Sequence, residues 1–274
     1  MRIGAMERTL GGRENVFAVA REVGIAGVEL EVHHDAVAVR SHAREAGMRV
    51  LSVICGGDGL GGANLADRLL AGERLRRAVE NAAFLEADAV LLPHFSATVA
   101  SDAAERRRFV EDICTRLDEA KRLEITIAWE NALDAEQTAD VLDEICSPWF
   151  RCCFDFANAA KRGADPAAEI RRLGDRIFRV HVKNVNKQAL DAPGVDLPAC
   201  LAALREIGYA GWLVLETPPG DDPSASAAHN LRVLKDACAT GNPDFTQLNA
   251  EFNCCAALGF LTTCKMFATA AGLV

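Results

Sequence analysis

Eight short apolar runs alternate with eight longer stretches of helical periodicity, and this alternation leaves the chain very few architectures. The runs fall at 1–5, 24–32, 48–54, 88–92, 125–130, 151–155, 177–183 and 212–216. Helical spacing fills the gaps, over about 13–23, 35–46, 66–86, 102–122, 135–146, 166–173, 197–207 and 224–238. Strands separated by helix-length connections pair in parallel, since a parallel neighbour needs a crossover of a dozen residues or more. Eight strands with eight helices is the count of a closed (β/α)₈ barrel, which builds its site at the C-terminal strand ends. An open doubly wound sheet is the rival architecture, and it offers a single crevice at its switch point. The barrel is expected over 1–239, with a C-terminal extension over 240–274. That extension carries only Asp244, Glu251 and Lys265 as charges, so a helix packed on the barrel or on a partner subunit is one expectation and a non-native tail another.

Four of the runs end in a residue able to hold a divalent metal: Ile125-Thr-Ile-Ala-Trp-Glu130, Arg151-Cys-Cys-Phe-Asp155, Ile177-Phe-Arg-Val-His181 and Trp212-Leu-Val-Leu-Glu216. Side chains alternate along a strand, so Thr126, Ala128 and Glu130 share one face while Ile125, Ile127 and Trp129 take the other. Trp129 is therefore expected in the layer between strands and helices. One imidazole and three carboxylates suit a single hard or borderline divalent ion such as Mn²⁺, Mg²⁺, Co²⁺ or Zn²⁺. Each residue has a plain structural role as a competitor. A strand-end Glu often sits on a solvated rim, Asp155 could cap a following helix, and His181 could be a satisfied structural histidine.

Composition narrows the partners. The 274 residues carry 39 acidic against 30 basic side chains, a formal charge of −9, which argues against nucleic acid as the main ligand. No run of about 18 apolar residues suggests a membrane span, and the first residues lack the apolar core of a secretory signal. The 10 cysteines include no CxxC, which favours reduced thiols and a cytoplasmic setting over a disulfide framework.

Several segments together resemble a known family. They are Gly27-Val-Glu-Leu30, Glu130-Asn131, Phe154-Asp-Phe-Ala-Asn158, His181-Val-Lys-Asn184 and Gly208-Tyr-Ala-Gly-Trp-Leu-Val-Leu-Glu216. Over about 1–239 the chain is similar to the xylose isomerase-like TIM barrels, which include sugar isomerases and epimerases, inosose dehydratases and type IV apurinic endonucleases. The resemblance implies a divalent metal held by Glu130, Asp155, His181 and Glu216, and it allows a homo-oligomer. Two positions depart from the family pattern. Asn158 stands where many members have a second histidine, and Asn184 stands where an acid is usual. Both departures, with the scarcity of further His ligands beyond His94, weigh against the multi-zinc nuclease.

A metal chelated by a sugar carbonyl and its neighbouring hydroxyl would stabilise an enediolate. Glu130 and Glu216 are then the candidate acid and base, flanking the substrate carbon from opposite sides. Returning the proton to the other face is epimerisation, and returning it to the next carbon is aldose–ketose isomerisation. Expelling a β-hydroxyl is dehydration, as in an inosose- or dehydroshikimate-type lyase. The expectation is a metal-dependent isomerase or epimerase of a small ketose or keto-polyol. The dehydratase is the first alternative and a non-catalytic sugar-binding barrel the second. His94, Asn158, Lys183, Asn131 and His33 are the candidate substrate contacts, and Lys183 shares the strand face of His181. The Gly-rich stretch 56–62 lacks the Gly-Lys-Ser/Thr of a phosphate loop and reads as a mobile flap over the pocket.

Overall fold

The computed structural model describes residues 1–31 and 35–240. Its strands are β1 Arg2–Met6, β2 Gly27–Glu31, β3 Arg49–Ile54, β4 Ala89–Pro93, β5 Thr126–Glu130, β6 Phe150–Asp155, β7 Ile177–Val182 and β8 Trp212–Leu215. Each pairs in parallel with the next, and β1 pairs in parallel with β8, closing the expected barrel. The helices are α1 Val16–Val23, α2 Ala36–Ala46, α3 Leu65–Phe84, α4 Ala103–Arg122, α5 Ala135–Ile145, α6 Phe156–Lys161, α7 Pro166–Leu173, α8 Leu197–Glu206 and α9 Pro223–Ala239. Most open on an aspartate whose carboxylate accepts first-turn N–H groups. Asp35, Asp102, Asp134, Asp165, Asp196 and Asp222 all do so, and proline follows in the first turn of α7, α8 and α9.

Two apolar layers result from strand alternation. The lumen is filled by Met6, Leu51, Ala89, Leu91, Ala128, Cys153, Trp212 and Val214. The larger layer lies between strands and helices, and there Trp129 stacks on Phe150 at 5.7 Å and tilts against Phe109 at 5.5 Å, as its strand parity requires. Leu51 fills the lumen only because its neighbours are small. A Cβ at Gly4 would lie 2.5 Å from its Cδ1, and one at Gly27 would lie 2.6 Å from its Cδ2.

The structure departs from the sequence reading in several places. β2 begins at Gly27, because Gly24 takes φ +84° and closes α1 by donating to the Ala20 and Arg21 carbonyls. The short helix α6 starts directly after β6, capped by Asp155 itself. β8 stops one residue before Glu216, although the Glu216 N–H still donates to the Val182 carbonyl at 3.0 Å. The Gly-rich stretch is no free flap. Gly61 donates to Asp112 at 2.9 Å, Arg108 donates to the Gly61 carbonyl at 2.8 Å, and Gly57 donates to the Pro93 carbonyl at 2.8 Å. Its glycines permit close approach: a Cβ at Gly57 would lie 2.7 Å from His94 Cβ. The expected extension, beyond Thr240, lies outside the described residues. The described cysteines are free thiols.

Candidate metal centre

Glu130, Asp155 and His181 end or nearly end β5, β6 and β7, and Glu216 follows β8. Parity turns all four inward above the small lumen residues Ala128, Cys153 and Val214. Ligand atoms from the four side chains lie within 4.8 Å of one another, and all but Glu216 are buried. His181 Nδ1 is 2.9 Å from a Glu216 oxygen and 3.7 Å from a Glu130 oxygen. On its far edge, His181 Nε2 lies 3.0 Å from Glu29 Oε2.

Cations balance the carboxylates. Lys183, from the same face as His181, reaches Asp155 Oδ2 at 2.6 Å and the two Glu216 oxygens at 3.0 and 3.1 Å. Arg8, in the 3-10 turn after β1, donates to Glu216 Oε1 at 2.6 Å from the rim. The two neighbouring carboxyls respond in opposite directions. Burial pushes the Asp155 carboxyl up to about 7, against the pull of Lys183 and with the push of Glu130 and Glu216. Burial also works on Glu216, but His181, Lys183 and Arg8 outweigh it and hold that carboxyl well below the usual range. Lys183 is likewise penalised by burial, yet Asp155, Glu216 and Glu130 keep it firmly protonated.

The other expected contacts fall differently. Asn158 donates from Nδ2 to Glu130 Oε1 at 3.1 Å, so it braces a centre carboxylate. Asn131 accepts from the Leu133 N–H and the Thr138 hydroxyl, which commits its oxygen to the turn into α5. His94 is a correction. Residues 89 and 91 face the lumen, so His94, three positions past Leu91, turns outward and stacks on Phe109 with ring centroids 4.5 Å apart. There burial lowers its pKa, against a backbone hydrogen bond with Leu60. His33 lies outside the described residues. Asp155 caps α6 through Oδ1, which accepts from the Asn158 N–H, while its Oδ2 faces the cluster. Asn184 ties the loop after β7, donating to the Ala189 and Ala192 carbonyls.

Sequence reasoning gave no role to Glu29, Arg179 or Arg8. Arg179 lies one turn of the pleat below His181, fully buried, 3.4 Å from Glu29 and 2.7 Å from Asp88. The signal for Glu29 and Arg179 was charge at inward strand positions; Arg8 had none.

The donor set fits a divalent ion. It offers one neutral-capable imidazole and three carboxylates, and the imidazole's far nitrogen already has a carboxylate partner. Asp155 Oδ2 and His181 Nδ1 are buried and, among the described residues, make no hydrogen bond of good geometry. Both point at the same small volume.

A parallel (β/α)₈ barrel with an imidazole and three carboxylates gathered at its C-terminal mouth defines a class of barrels able to hold one metal at the strand ends. The chain belongs to the xylose isomerase-like TIM barrel family, whose model matches residues 17–237. Among curated proteins it is 30% identical over 125 residues to the rhizopine catabolism protein MocC of Rhizobium meliloti, covering 38% of this chain and 37% of that protein. The chain thus spans little more than a third of that relative's own length. Among solved structures, an L-ribulose 3-epimerase superposes with a TM-score of 0.79 at 19% identity, covering 92% of this chain and 97% of the other. A D-allulose 3-epimerase from Methylomonas sp., in complex with D-allulose, gives 0.76 at 18% identity, covering 86% and 97%. No helix among the described residues is long and apolar enough to cross a membrane.

Proposed function

We propose that this chain is a divalent-metal-dependent sugar isomerase or epimerase acting on a small ketose or keto-polyol. The observation that carries the proposal is the convergence of Glu130, Asp155, His181 and Glu216, with ligand atoms within 4.8 Å, on the mouth of the barrel. Fold neighbours that are ketose 3-epimerases support the same substrate class. When bound, the ion would polarise a carbonyl and the adjacent hydroxyl and so stabilise enediolate charge. The protein's own side chains do the rest. Glu130 and Glu216 come from β5 and from the end of β8, so they approach a substrate carbon from different sides of the ring of strands. One removes the carbon-bound proton and the other returns a proton. Asn158 holds Glu130 by one oxygen, and Lys183 holds Glu216, leaving an ammonium at hand for a substrate oxygen.

The test is proton exchange. Purified protein loaded with Mn²⁺ is incubated in D₂O with L-ribulose, D-fructose, D-allulose and D-tagatose, and the sugars are followed by proton NMR. Loss of one carbon-bound proton signal, abolished in Glu216→Gln, is expected. An ultraviolet-absorbing unsaturated product would transfer the assignment to a dehydratase. Binding of sugar with no exchange in any ketose would sink the enzymatic role.

A further inference from the structure

We propose that Glu29 is a positioning residue: it grips His181 by Nε2, so that Nδ1 is the nitrogen turned toward Glu130, Asp155 and Glu216. The proposal rests on the assignment of those four residues as a metal centre. His181 Nε2 lies 3.0 Å from Glu29 Oε2, and both side chains are fully buried. An ionised carboxylate can only accept, so Nε2 carries the proton and donates it. Arg179, beside its other oxygen, supplies the positive charge that an ionised Glu29 needs. The ring therefore has one satisfied orientation. Turning it over would exchange Nε2 for Cε1 and Nδ1 for Cδ2, which loses the bond to Glu29 and the nitrogen that lies 2.9 Å from Glu216.

Glu29 is itself held. It sits in β2 opposite Ser52 of β3, and Arg179 Nε lies 3.4 Å from its second oxygen. Arg179 in turn donates to Asp88 at 2.7 Å and to the Leu51 carbonyl at 3.2 Å. A line of alternating charge thus descends the lumen from Glu216 through His181, Glu29 and Arg179 to Asp88. Packing would not ask for this. Buried ion pairs are commonly replaceable by apolar residues of similar volume without loss of stability, and the lumen around these residues is otherwise apolar. What an apolar residue at 29 could not do is orient an imidazole. A carboxylate behind a metal-binding histidine does that, and its loss typically weakens metal affinity about 10–100-fold.

The experiment measures Mn²⁺ affinity by equilibrium dialysis, and the visible spectrum of bound Co²⁺, for the wild type, Glu29→Gln and Glu29→Leu. Far-UV circular dichroism checks that each is folded. Glu29→Leu is expected to bind Mn²⁺ about 10–100-fold more weakly with an altered Co²⁺ spectrum. Glu29→Gln keeps an oxygen to accept from Nε2 and is expected to stay within about threefold of the wild type. Unchanged affinity and spectrum in Glu29→Leu would overturn the role. A second measurement needs no variant: nitrogen-15 NMR of the Zn²⁺-loaded wild type should show His181 protonated at Nε2. Protonation at Nδ1 would overturn the proposal even if Glu29→Leu failed to fold. A wild type that binds no metal would remove the four-ligand assignment and this role together, whereas strong binding indifferent to Glu29 would remove this role alone.

Discussion

Glu216 has contacts that make its replacement informative without any metal or substrate. Both of its oxygens accept from the Lys183 ammonium, at 3.0 and 3.1 Å, and one lies 2.9 Å from His181 Nδ1. Hydrogen bonds to charged groups contribute roughly 1.5–3 kcal/mol each. The Arg8 contact, at 2.6 Å, adds less than about 1 kcal/mol, because the Arg8 side chain is 56% exposed and solvent screens it. Glu216→Gln keeps one acceptor oxygen for Lys183 and relieves repulsion with Asp155 and Glu130, which offsets part of the loss. A net destabilisation of about 2–3 kcal/mol follows, a fall in Tm of about 4–12 °C for a domain of this size. Differential scanning calorimetry in EDTA at pH 7.5 reads it directly. The pH dependence has a definite sign. A carboxyl held below its ordinary value contributes stability above its unfolded pKa of 4.5 and loses it as acid protonates it. The Glu216 share of the gap between wild type and variant should therefore close only well below pH 4.5, while Asp155, raised to about 7 partly by Glu216, adds a slope near neutral pH. Equal or higher stability of Glu216→Gln in EDTA would refute the premise that Lys183, His181 and Arg8 hold this carboxylate in place.

Metal addition should raise the Tm of the wild type, since a ligand at about 100 times its Kd adds about 2.7 kcal/mol; no shift with Mn²⁺ in fluorimetry would count against the centre. His94→Phe should preserve the stack on Phe109 and leave turnover and Tm nearly unchanged, while a loss of activity above tenfold would return His94 to the substrate site. Gly61→Ala forces a methyl to within 3.0 Å of Phe109 Cβ at φ +73°. It should destabilise the fold by about 2–4 kcal/mol, read by urea unfolding, and a neutral result would mean that the loop gives way freely.

The barrel and its four inward strand ends were legible because they are written in a two-residue alternation that any parallel strand obeys. Glu130, Asp155 and His181 fall where that alternation puts them. The same rule, applied to His94, would have placed it outward; counting from Leu91 rather than from the strand end makes the difference. Glu29 and Arg179 were harder, since an acid or base at one inward position says nothing of its partner until β2 and β7 face each other across the lumen. Asp155 was already a candidate cap, but α6 has only 6 residues, too few to show a helical period of their own. The pinning of the Gly-rich stretch depends on Asp112 and Arg108, roughly fifty residues away in sequence, and no local pattern announces that contact.

Because three of the four gathered groups sit inside a strand and the fourth directly after one, their spacing is fixed by barrel register and not by loop shape. Slipping any one strand by a single residue would exchange a charged group for an outward-facing hydrophobe such as Trp129 or Phe154. Insertions in the connecting segments leave the arrangement untouched. The chain can therefore exchange the loops around its mouth, and with them the shape of the pocket they enclose, as one replaces the jaws on a fixed chuck, while a deletion of one residue within β5, β6 or β7 should erase the centre outright.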